Sequence, residues 1–453
     1  MRVADILRRH TSDGDRAVAV VSALSGVTTD LHRGMTAAAE GDETVHGDVV
    51  EQTLDRYREM VQQLIGDNAE RRRLQGAAAE ILGDYSAVCD SVCVLREATP
   101  KALDRALACG EPLVVLLLAS ILRQLGSDAR PIEARDIIVT DRVFQHAVPR
   151  MEATTVRARE RIHPLLASRP GIIPVIAGFI GANEDGETTT LGRGGSDFTA
   201  AVLGSALDAD EVWIWTDVDG VMTADPRIVP DARIVPGLSY GEVAELAYFG
   251  AKVLHPRTIR PLVDKQIPLW IKNTFRPDVA GTCIQHEALP DEAPDTVKAV
   301  THVAGLSMIT LEGRGMLGVP GVAARTFDAV ARCDANVLMI SQASSEQSIC
   351  FVVSSGDANC VVREVSREFE RELERRDIDS VTQLDGVDIV TALAVGMQGA
   401  MGVASRVFSA LARRRINILA IAQGSSKYSI SVVVASQDSN AAVIAVHEEV
   451  TGR

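Results

Sequence analysis

Long apolar runs, positive charge, paired cysteines and aromatic residues are all scarce in this chain, and each shortage removes a class of function. No apolar run approaches the ~20 residues needed to cross a bilayer, and 111–122 (EPLVVLLLASIL) reads as a short buried helix. Lys+Arg number 46 against 61 Asp+Glu, a net charge of −15, which argues against duplex nucleic acid or an anionic membrane surface as partner. The seven cysteines (Cys89, Cys93, Cys109, Cys283, Cys333, Cys350 and Cys360) are odd in number and contain no CxxC pair. They predict neither a disulfide framework nor a zinc site, and they point to a reducing, cytoplasmic compartment. No Ser-His-Asp spacing and no metal-ligand cluster stands out, and no signal-peptide core follows Arg8, Arg9 and His10. Aromatics make up only 4%, but with 46% hydrophobic and 24% charged residues the composition is that of a globular chain, and its 453 residues predict about two to four domains.

What is present is periodic. Residues 2–9 (RVADILRR) have the apolar spacing of a helix, and 17–23 (AVAVVSA) read as a short strand ending in a turn at Ser25, Gly26 and Thr28. A polar helical insertion is expected over 43–107, with Leu54, Tyr57 and Val61 on one stripe and the charges of Glu70–Arg73 solvated. From residue 110, helices at 111–126, 196–207 and 239–253 alternate with strands around 129–133, 172–177, 211–216 and 268–272. That alternation predicts an α/β layer with a mainly parallel sheet. Prolines and acids over 284–298 mark a linker. Beyond it, 318–353 and 399–434 align without a gap at an offset of 81, with roughly half of the positions identical. Each copy reads as turn, helix, strand, loop, strand, so a tandem of small α+β modules is expected. An amphipathic helix over 361–377 carries Val362, Val365, Phe369 and Leu373 on one face. The expected divisions are an α/β domain at 1–285, a linker at 286–300, and modules at 301–380 and 381–453.

The strongest local signal is TTTLGRGGSD, 188–197. Gly192, Gly194 and Gly195 lie between a strand and a helix, where backbone N–H groups and the helix dipole suit an anion. Ser196 or Asp197 is a natural N-cap there, and Arg193 adds a cation. A second signal follows the strand EVWIWT: Thr216 and Asp217 sit at its carboxyl end, where open α/β sheets bind ligands. Asp219 and Asp225 complete an acidic loop of the kind that holds nucleotide or magnesium, though its spacing is not an EF-hand. Ser22, Ser25 and Thr28 after the first strand, and Glu111 after Gly110, are weaker candidates. Lys252 is a phosphate contact or a surface lysine, and His255 before Pro256 reads as a turn residue.

Together these residues resemble a family. TTTLGRGGSDFTAA, WTDVDGVMTADPR, FGAKVLHPRTI and VVSALSGVTTDL are similar to the core motifs of aspartate kinases in the amino-acid kinase superfamily, and the repeats resemble the paired ACT modules that regulate them. SSEQSICFVV and NILAIAQGSSKYSISVVV look most like the kinase half of bifunctional aspartate kinase–homoserine dehydrogenases, and no dehydrogenase activity is implied. The resemblance implies an amino-acid-kinase fold, a mainly parallel sheet sandwiched by helices, followed by two ACT-like modules. It implies transfer of the ATP γ-phosphoryl group, with Mg2+, to the side-chain carboxylate of L-aspartate, giving 4-phospho-L-aspartate, the first step toward lysine, threonine and methionine. Carried over by motif, Arg193 grips the aspartate α-carboxylate, Glu111 holds its α-amino group, Thr28, Phe179 and Ser196 line the pocket, and Asp197 orients the reacting groups or helps place magnesium. Ser22, Thr216, Asp217 and Lys252 contact nucleotide; no residue is assigned as a protein metal ligand.

The ACT pair implies an amino-acid effector, threonine first and lysine second, contacted by Gln342 and Gln423 with Asn336 and Asn417 near the same interface. It also implies a homodimer or higher oligomer through the ACT modules. Two departures from the family pattern are visible. The family's opening Lys-Phe-Gly-Gly-Thr-Ser element does not precede Arg2, and Pro-Leu-Val follows Glu111 where a small hydroxyl residue is usual. The first sets two expectations side by side: a kinase whose start lies further upstream, or a non-catalytic amino-acid-sensing subunit that partners a kinase. A kinase acting on another amino acid, such as N-acetylglutamate, fits the ACT pair and GRGGSD poorly.

Overall fold

A computed structural model describes the chain except for residues 13, 170, 250–253, 255, 287–296, 344–346, 395–401, 424–427 and 451–453. Two units emerge: Met1–Asp219 with Leu254–His286, and Gly220–Val253 with Glu287–Arg453. The boundary expected at 285 therefore misplaces one segment, since 220–253 belongs with the repeats.

The first unit runs through α1 (Arg2–Ser12), β1 (Ala19–Val21), α2 (Val27–Glu40), α3 (Val45–Leu64), α4 (Asn68–Leu95), α5 (Pro100–Leu107), α6 (Gly110–Gln124), β2 (Ala129–Ile132), α7 (Met151–Ser168), β3 (Ile173–Ala177), β4 (Ile180–Ala182), β5 (Thr188–Thr190), α8 (Gly195–Ala206) and β6 (Val212–Thr216). The second unit then takes β7 (Gly237–Ser239) and α9 (Tyr240–Tyr248), before the chain returns for α10 (Pro256–Val263), β8 (Leu269–Asn273) and β9 (Thr282–Gln285). β1, β3 and β2 form a parallel sheet in that order. β6 pairs in parallel with β8, and β9, which the sequence reading lacked, adds an antiparallel strand to β8. β4 and β5 form a hairpin. α6 buries residues on every side, as its unbroken apolar run requires, because a helix without a polar face has no surface to give to water. The stretch Pro100–Gln124 would be long and apolar enough to cross a membrane, but 67% of its 18-residue apolar window is buried. α8 packs against both β1 and β6, the first strands of the two parallel strand pairings β1–β3 and β6–β8.

The second unit continues with β10 (Val297–Glu312), α11 (Val322–Ala331), β11 (Met339–Gln342), β12 (Ser348–Ser354), α12 (Ser355–Glu368), α13 (Glu370–Arg375), β13 (Ser380–Ala394), α14 (Val403–Arg413), β14 (Ala420–Ala422), β15 (Ser429–Ala435) and α15 (Ser439–Val450). One six-stranded antiparallel sheet results, ordered β11-β12-β10-β13-β15-β14. The repeats are interleaved rather than sequential. β10 and β13 pair along almost their whole lengths, with register shifts between Val303 and Ser307. Gly305 and Gly386, both at positive φ and 81 residues apart, mark the same kink in each copy. The half of β10 before the kink (297–303) pairs with the half of β13 after it, and so completes the sheet of the second repeat. Modules cut at 301–380 and 381–453 would sever that strand. Most of the expected linker 286–300 lies outside the described residues, and 297–300 are strand.

Two further expectations change. The helix expected over 361–377 is two helices, α12 and α13, meeting at Phe369, which is fully buried. Cys333 and Cys360 form a disulfide, Cα–Cα 6.1 Å, because α11 and α12 pack side by side on one face of the sheet. Their 27-residue separation in sequence gives no sign of that adjacency.

The segment 220–253 is held to the repeats by polar contacts. Thr223 Oγ1 hydrogen-bonds His447 Nε2 at 2.9 Å, Ser429 Oγ donates to Glu245 at 2.9 Å, and Thr301 Oγ1 donates to the Phe249 carbonyl at 2.7 Å. Lys298 Nζ reaches Glu242 Oε2 and the Gly237 carbonyl, each at 3.1 Å, with Lys298 and Glu242 both buried.

Candidate active site

The first unit gathers its functional side chains where β1 and β3 end. The Gly178 N–H donates to the Val21 carbonyl at 2.8 Å, so the segments leaving the two strands start side by side. Gly178 then packs on Ser196, and Phe179 on Gly195. A Cβ on Gly178 would lie 2.6 Å from Ser196 Cβ, and one on Gly195 would lie 2.6 Å from Phe179 Cδ2. Phe179 adopts φ 67°, a strained value for a side chain of its size. Thr199 holds it there: its Oγ1 accepts the Phe179 N–H at 3.0 Å and donates to the Gly195 carbonyl at 2.9 Å. Thr199 was visible in the sequence only as part of SDFTAA.

The helix that carries the Gly-rich motif starts earlier than expected. Its N-cap is Gly194 at φ 71°, with no side-chain cap, rather than Ser196 or Asp197. A left-handed glycine turns the chain by backbone alone, which leaves the Ser196 and Asp197 side chains uncommitted to capping. Asp197 is half-buried in the first turn of α8, and burial raises its carboxyl above the ordinary range. Arg193 is exposed and makes no ion pair among the described residues.

Glu111 is the buried member, 3% exposed, in the first turn of α6. Burial pushes its carboxyl up to about 7, against the opposing effect of backbone N–H groups of Ala23 and Glu111 itself, and its Oε2 has no partner. A Cβ on Gly110 would come 2.9 Å from Ala23 Cβ, so glycine is what lets the start of α6 close on the end of β1. Ser22, exposed, therefore lies beside the Glu111 contact, and Thr28 lies in the first turn of α2 after the left-handed Gly26.

The raised Glu111 value has a stability consequence. A carboxyl whose folded-state pKa lies above its ordinary 4.5 favours the fold at low pH, and that contribution is lost as pH rises through about 7. Glu111→Gln cannot ionise. Between pH 5 and pH 8 the unfolding free energy of the ligand-free variant, followed by urea titration, is expected to fall by about 2–3 kcal/mol less than that of the parent. Parallel curves for the two proteins would refute the burial argument.

Thr216 and Asp217 end β6 in the same unit. Thr216 Oγ1 donates to Asp217 Oδ1 at 3.2 Å, and Asp217 is exposed. The other acids of this loop are engaged. Asp219 accepts from Asn273 Nδ2 at 2.7 Å and pairs with Arg276, while Asp225, in the second unit, pairs with Arg227 at 2.6 Å. These two are turn-shaping carboxylates, which leaves Asp217 for a ligand. Lys252 and His255 lie outside the described residues. No group of three or more His, Cys, Asp or Glu side chains able to hold a metal occurs among the described residues. Magnesium fits this arrangement as an ion carried by nucleotide phosphates, which takes only one or two protein carboxylates.

In the second unit, Asn336 and Asn417 are exposed in the loops before β11 and β14, and Gln342 and Gln423 are exposed at the ends of those strands. Met339 of β11 and Ala420 of β14 share one hydrophobic cluster, so the equivalent edges of the two repeats meet. The Tyr248 hydroxyl donates to the carbonyl of Val337, next to Asn336 in sequence, at 3.0 Å and lies 3.4 Å from the Leu338 carbonyl.

Residues 1–273 match the amino acid kinase family, and 309–369 and 390–450 match the ACT domain. The chain is 34% identical over 441 residues, 96% of its length and 47% of the relative's, to a chloroplastic bifunctional aspartokinase/homoserine dehydrogenase of Daucus carota. It is 45% identical over 276 residues, 61% of its length and 34% of the relative's, to the bifunctional aspartokinase/homoserine dehydrogenase of Haemophilus influenzae. It thus spans about half the length of the curated relatives it matches first. Among solved structures it resembles E. coli aspartokinase III in complex with aspartate and ADP, with a TM-score of 0.77 and 29% identity over 99% of this chain and 95% of that one. The aspartate kinase of Clostridium acetobutylicum gives a TM-score of 0.80 with 26% identity, over 99% of this chain and 96% of that one.

Proposed function

The chain belongs to the aspartate kinases of the amino acid kinase family, and on that premise we propose that it phosphorylates the side-chain carboxylate of L-aspartate with ATP and Mg2+, under control of an amino acid bound at its ACT repeats. One observation carries the reading: a buried carboxyl beside the end of β1 and an exposed cation in the glycine-rich turn both stand without an ionic partner among the described residues. Glu111 keeps a carboxylate oxygen without a partner, and Arg193 has no carboxylate partner among the described residues. An α-amino acid offers the complementary pair, an ammonium for Glu111 and a carboxylate for Arg193. Glu111 must be ionised for this, and its value near 7 implies that aspartate binding strengthens as pH rises through neutrality.

The side-chain carboxylate of aspartate is already ionised, so its attack on the γ-phosphorus, with ADP leaving, needs no strong general base. Positioning and charge neutralisation carry the step. Ser22, Thr216 and Asp217 at strand ends, together with Lys252, are assigned to nucleotide, and Thr28, Phe179 and Ser196 to the substrate pocket. The sensing-subunit alternative is less favoured, because Glu111, Arg193 and Asp197 are not absorbed into structural ion pairs. The test is ATP-dependent hydroxamate formation. Product with L-aspartate but not with N-acetylglutamate is expected; equal rates with both, or none with either, would overturn the reading.

For the effector we propose threonine ahead of lysine, in a cytoplasmic homodimer or higher oligomer. Support comes from the equivalent placement of Asn336 with Gln342 and of Asn417 with Gln423 around the cluster where the two repeat edges meet. Gln342→Ala is expected to raise the threonine concentration for half-inhibition about tenfold, a loss of ~1.4 kcal/mol as for one lost polar contact, and to leave uninhibited turnover in place. An unchanged inhibition curve removes Gln342 from the site. Stronger inhibition by lysine than by threonine reverses the choice of effector.

A further inference from the structure

A buried carboxylate outside the residues assigned so far organises the glycine-rich turn. Asp104, on α5, is fully buried. Its Oδ1 accepts the Gln145 N–H at 3.0 Å and the Thr190 hydroxyl at 2.6 Å, and its Oδ2 accepts the N–H groups of Gln145 at 2.9 Å and Thr190 at 3.0 Å. No cation pairs with it among the described residues. A lone buried carboxylate is a costly way to satisfy two backbone amides and a hydroxyl, and burial does raise its pKa.

The position of that carboxylate explains what the cost achieves. Thr190 ends β5, two residues before Gly192 and three before Arg193. Gln145, at φ 67°, belongs to the segment that walls the other side of the turn: a Cβ on Gly192 would meet the Gln145 carbonyl at 2.9 Å and His146 Nδ1 at 2.7 Å. The same segment is fastened to β5 by Thr140 Oγ1 to Thr189 Oγ1 at 2.7 Å and by the Ala147 N–H to the Thr190 carbonyl at 3.0 Å. In the other direction along the chain, α5 is separated from α6 by only Ala108 and Cys109, and α6 opens with Gly110 and Glu111.

We propose that Asp104 is a positioning residue that holds the Arg193-bearing turn at a fixed reach from Glu111, and so sets the spacing between the groups that grip the α-carboxylate and the α-ammonium of the amino-acid substrate. The proposal rests on the aspartate-binding reading for its consequence, but not for the clamp itself. A misplacement of about 1 Å at such a site costs up to ~100-fold in rate or affinity.

Two substitutions separate positioning from bulk stability. Asp104→Ala removes all four contacts. Asp104→Asn can keep three of them: the remaining oxygen, in the place of Oδ2, still accepts both backbone N–H groups, and the new amide donates to Thr190 Oγ1, whose hydroxyl turns to accept, so that only the Gln145 N–H contact to Oδ1 is lost. Expected for Asp104→Ala are faster hydrogen exchange confined to 143–147 and 190–197 in the ligand-free protein, and a KM for L-aspartate raised at least tenfold with the KM for ATP nearly unchanged. Asp104→Asn restores both readouts to near the parent values. Unchanged exchange in 190–197, or altered exchange with an unchanged aspartate KM, overturns the proposal, as does an asparagine variant no better than alanine. If Asp104→Ala does not fold, Thr190→Val, which removes only the hydroxyl contact, is read by the same two measurements. Absence of aspartate-dependent ATP turnover in the parent protein would instead refute the functional reading, and the exchange pattern then decides the clamp by itself.

Discussion

Asp197→Ala is expected to lower phosphoryl transfer to L-aspartate by about 100- to 1,000-fold, the scale of removing one preorganised group at a transferring centre, and at the same time to raise the melting temperature above neutral pH. The two effects have one cause. Asp197 lies in the first turn of α8, where the helix dipole favours a carboxylate, yet burial still drives its pKa upward. An acid with a raised folded-state pKa contributes its full stability below its ordinary value of 3.8, and that stability is lost as pH climbs through the folded value. In the ligand-free fold alanine therefore removes a carboxyl whose charged form burial disfavours. Calorimetry at pH 8 alongside initial rates checks both arms. Near-normal turnover would sink the catalytic assignment. A fall in melting temperature together with lost activity would make Asp197 a structural residue. Asp197→Asn should behave like alanine in rate, since the amide keeps the shape without the charge.

Such a residue is legible in sequence because its neighbours carry the signal. The glycines at 192, 194 and 195, the strand EVWIWT and the apolar run of α6 are all local patterns, and the structure returns each within a residue or two of its expected place. Placement of the cap failed for a local reason too: Ser196 and Asp197 look like caps, but Gly194 with φ 71° starts the helix first.

The failures of larger scale all involve partners. Val297–Val300 are all buried with no period-2 alternation, and nothing local shows that the first half of β10 joins a strand some 90 residues away. Cys333 and Cys360 meet through helix packing that no spacing rule encodes. Asp104 is an ordinary acid in a helical stretch until α5, β5 and the 140–148 segment come together around it. Gly220–Val253 reads as part of an α/β alternation, and only the contacts of Thr223, Glu242 and Glu245 show that it belongs with the repeats.

That last attachment carries the largest stability effect expected in the molecule. Lys298 and Glu242 are 5% and 1% exposed, and Lys298 Nζ lies 3.1 Å from Glu242 Oε2. Glu242 also closes the capping box of α9: its Oε2 accepts the Ser239 N–H at 2.6 Å while Ser239 Oγ accepts the Glu242 N–H at 3.2 Å. One carboxylate thus serves both a helix start and a buried ammonium on β10. Removing one member of a buried pair strands the other charge, at a cost of about 3–5 kcal/mol. Lys298→Met is expected to destabilise by that amount, because the buried Glu242 loses its cation partner. Glu242→Gln should cost less than Lys298→Met at the capping box, since an amide oxygen can still accept the Ser239 N–H, and it removes the carboxylate that lies 3.1 Å from Lys298 Nζ. Combining Lys298→Met with Glu242→Gln should recover a large part of the loss, since neither charge is then buried alone. Chemical denaturation of the parent, both single variants and the double variant gives the coupling energy directly. A double variant whose loss equals the sum of the two single losses would show that the pair is not energetically linked, and the buried attachment of 237–242 to β10 would then have to rest on packing alone.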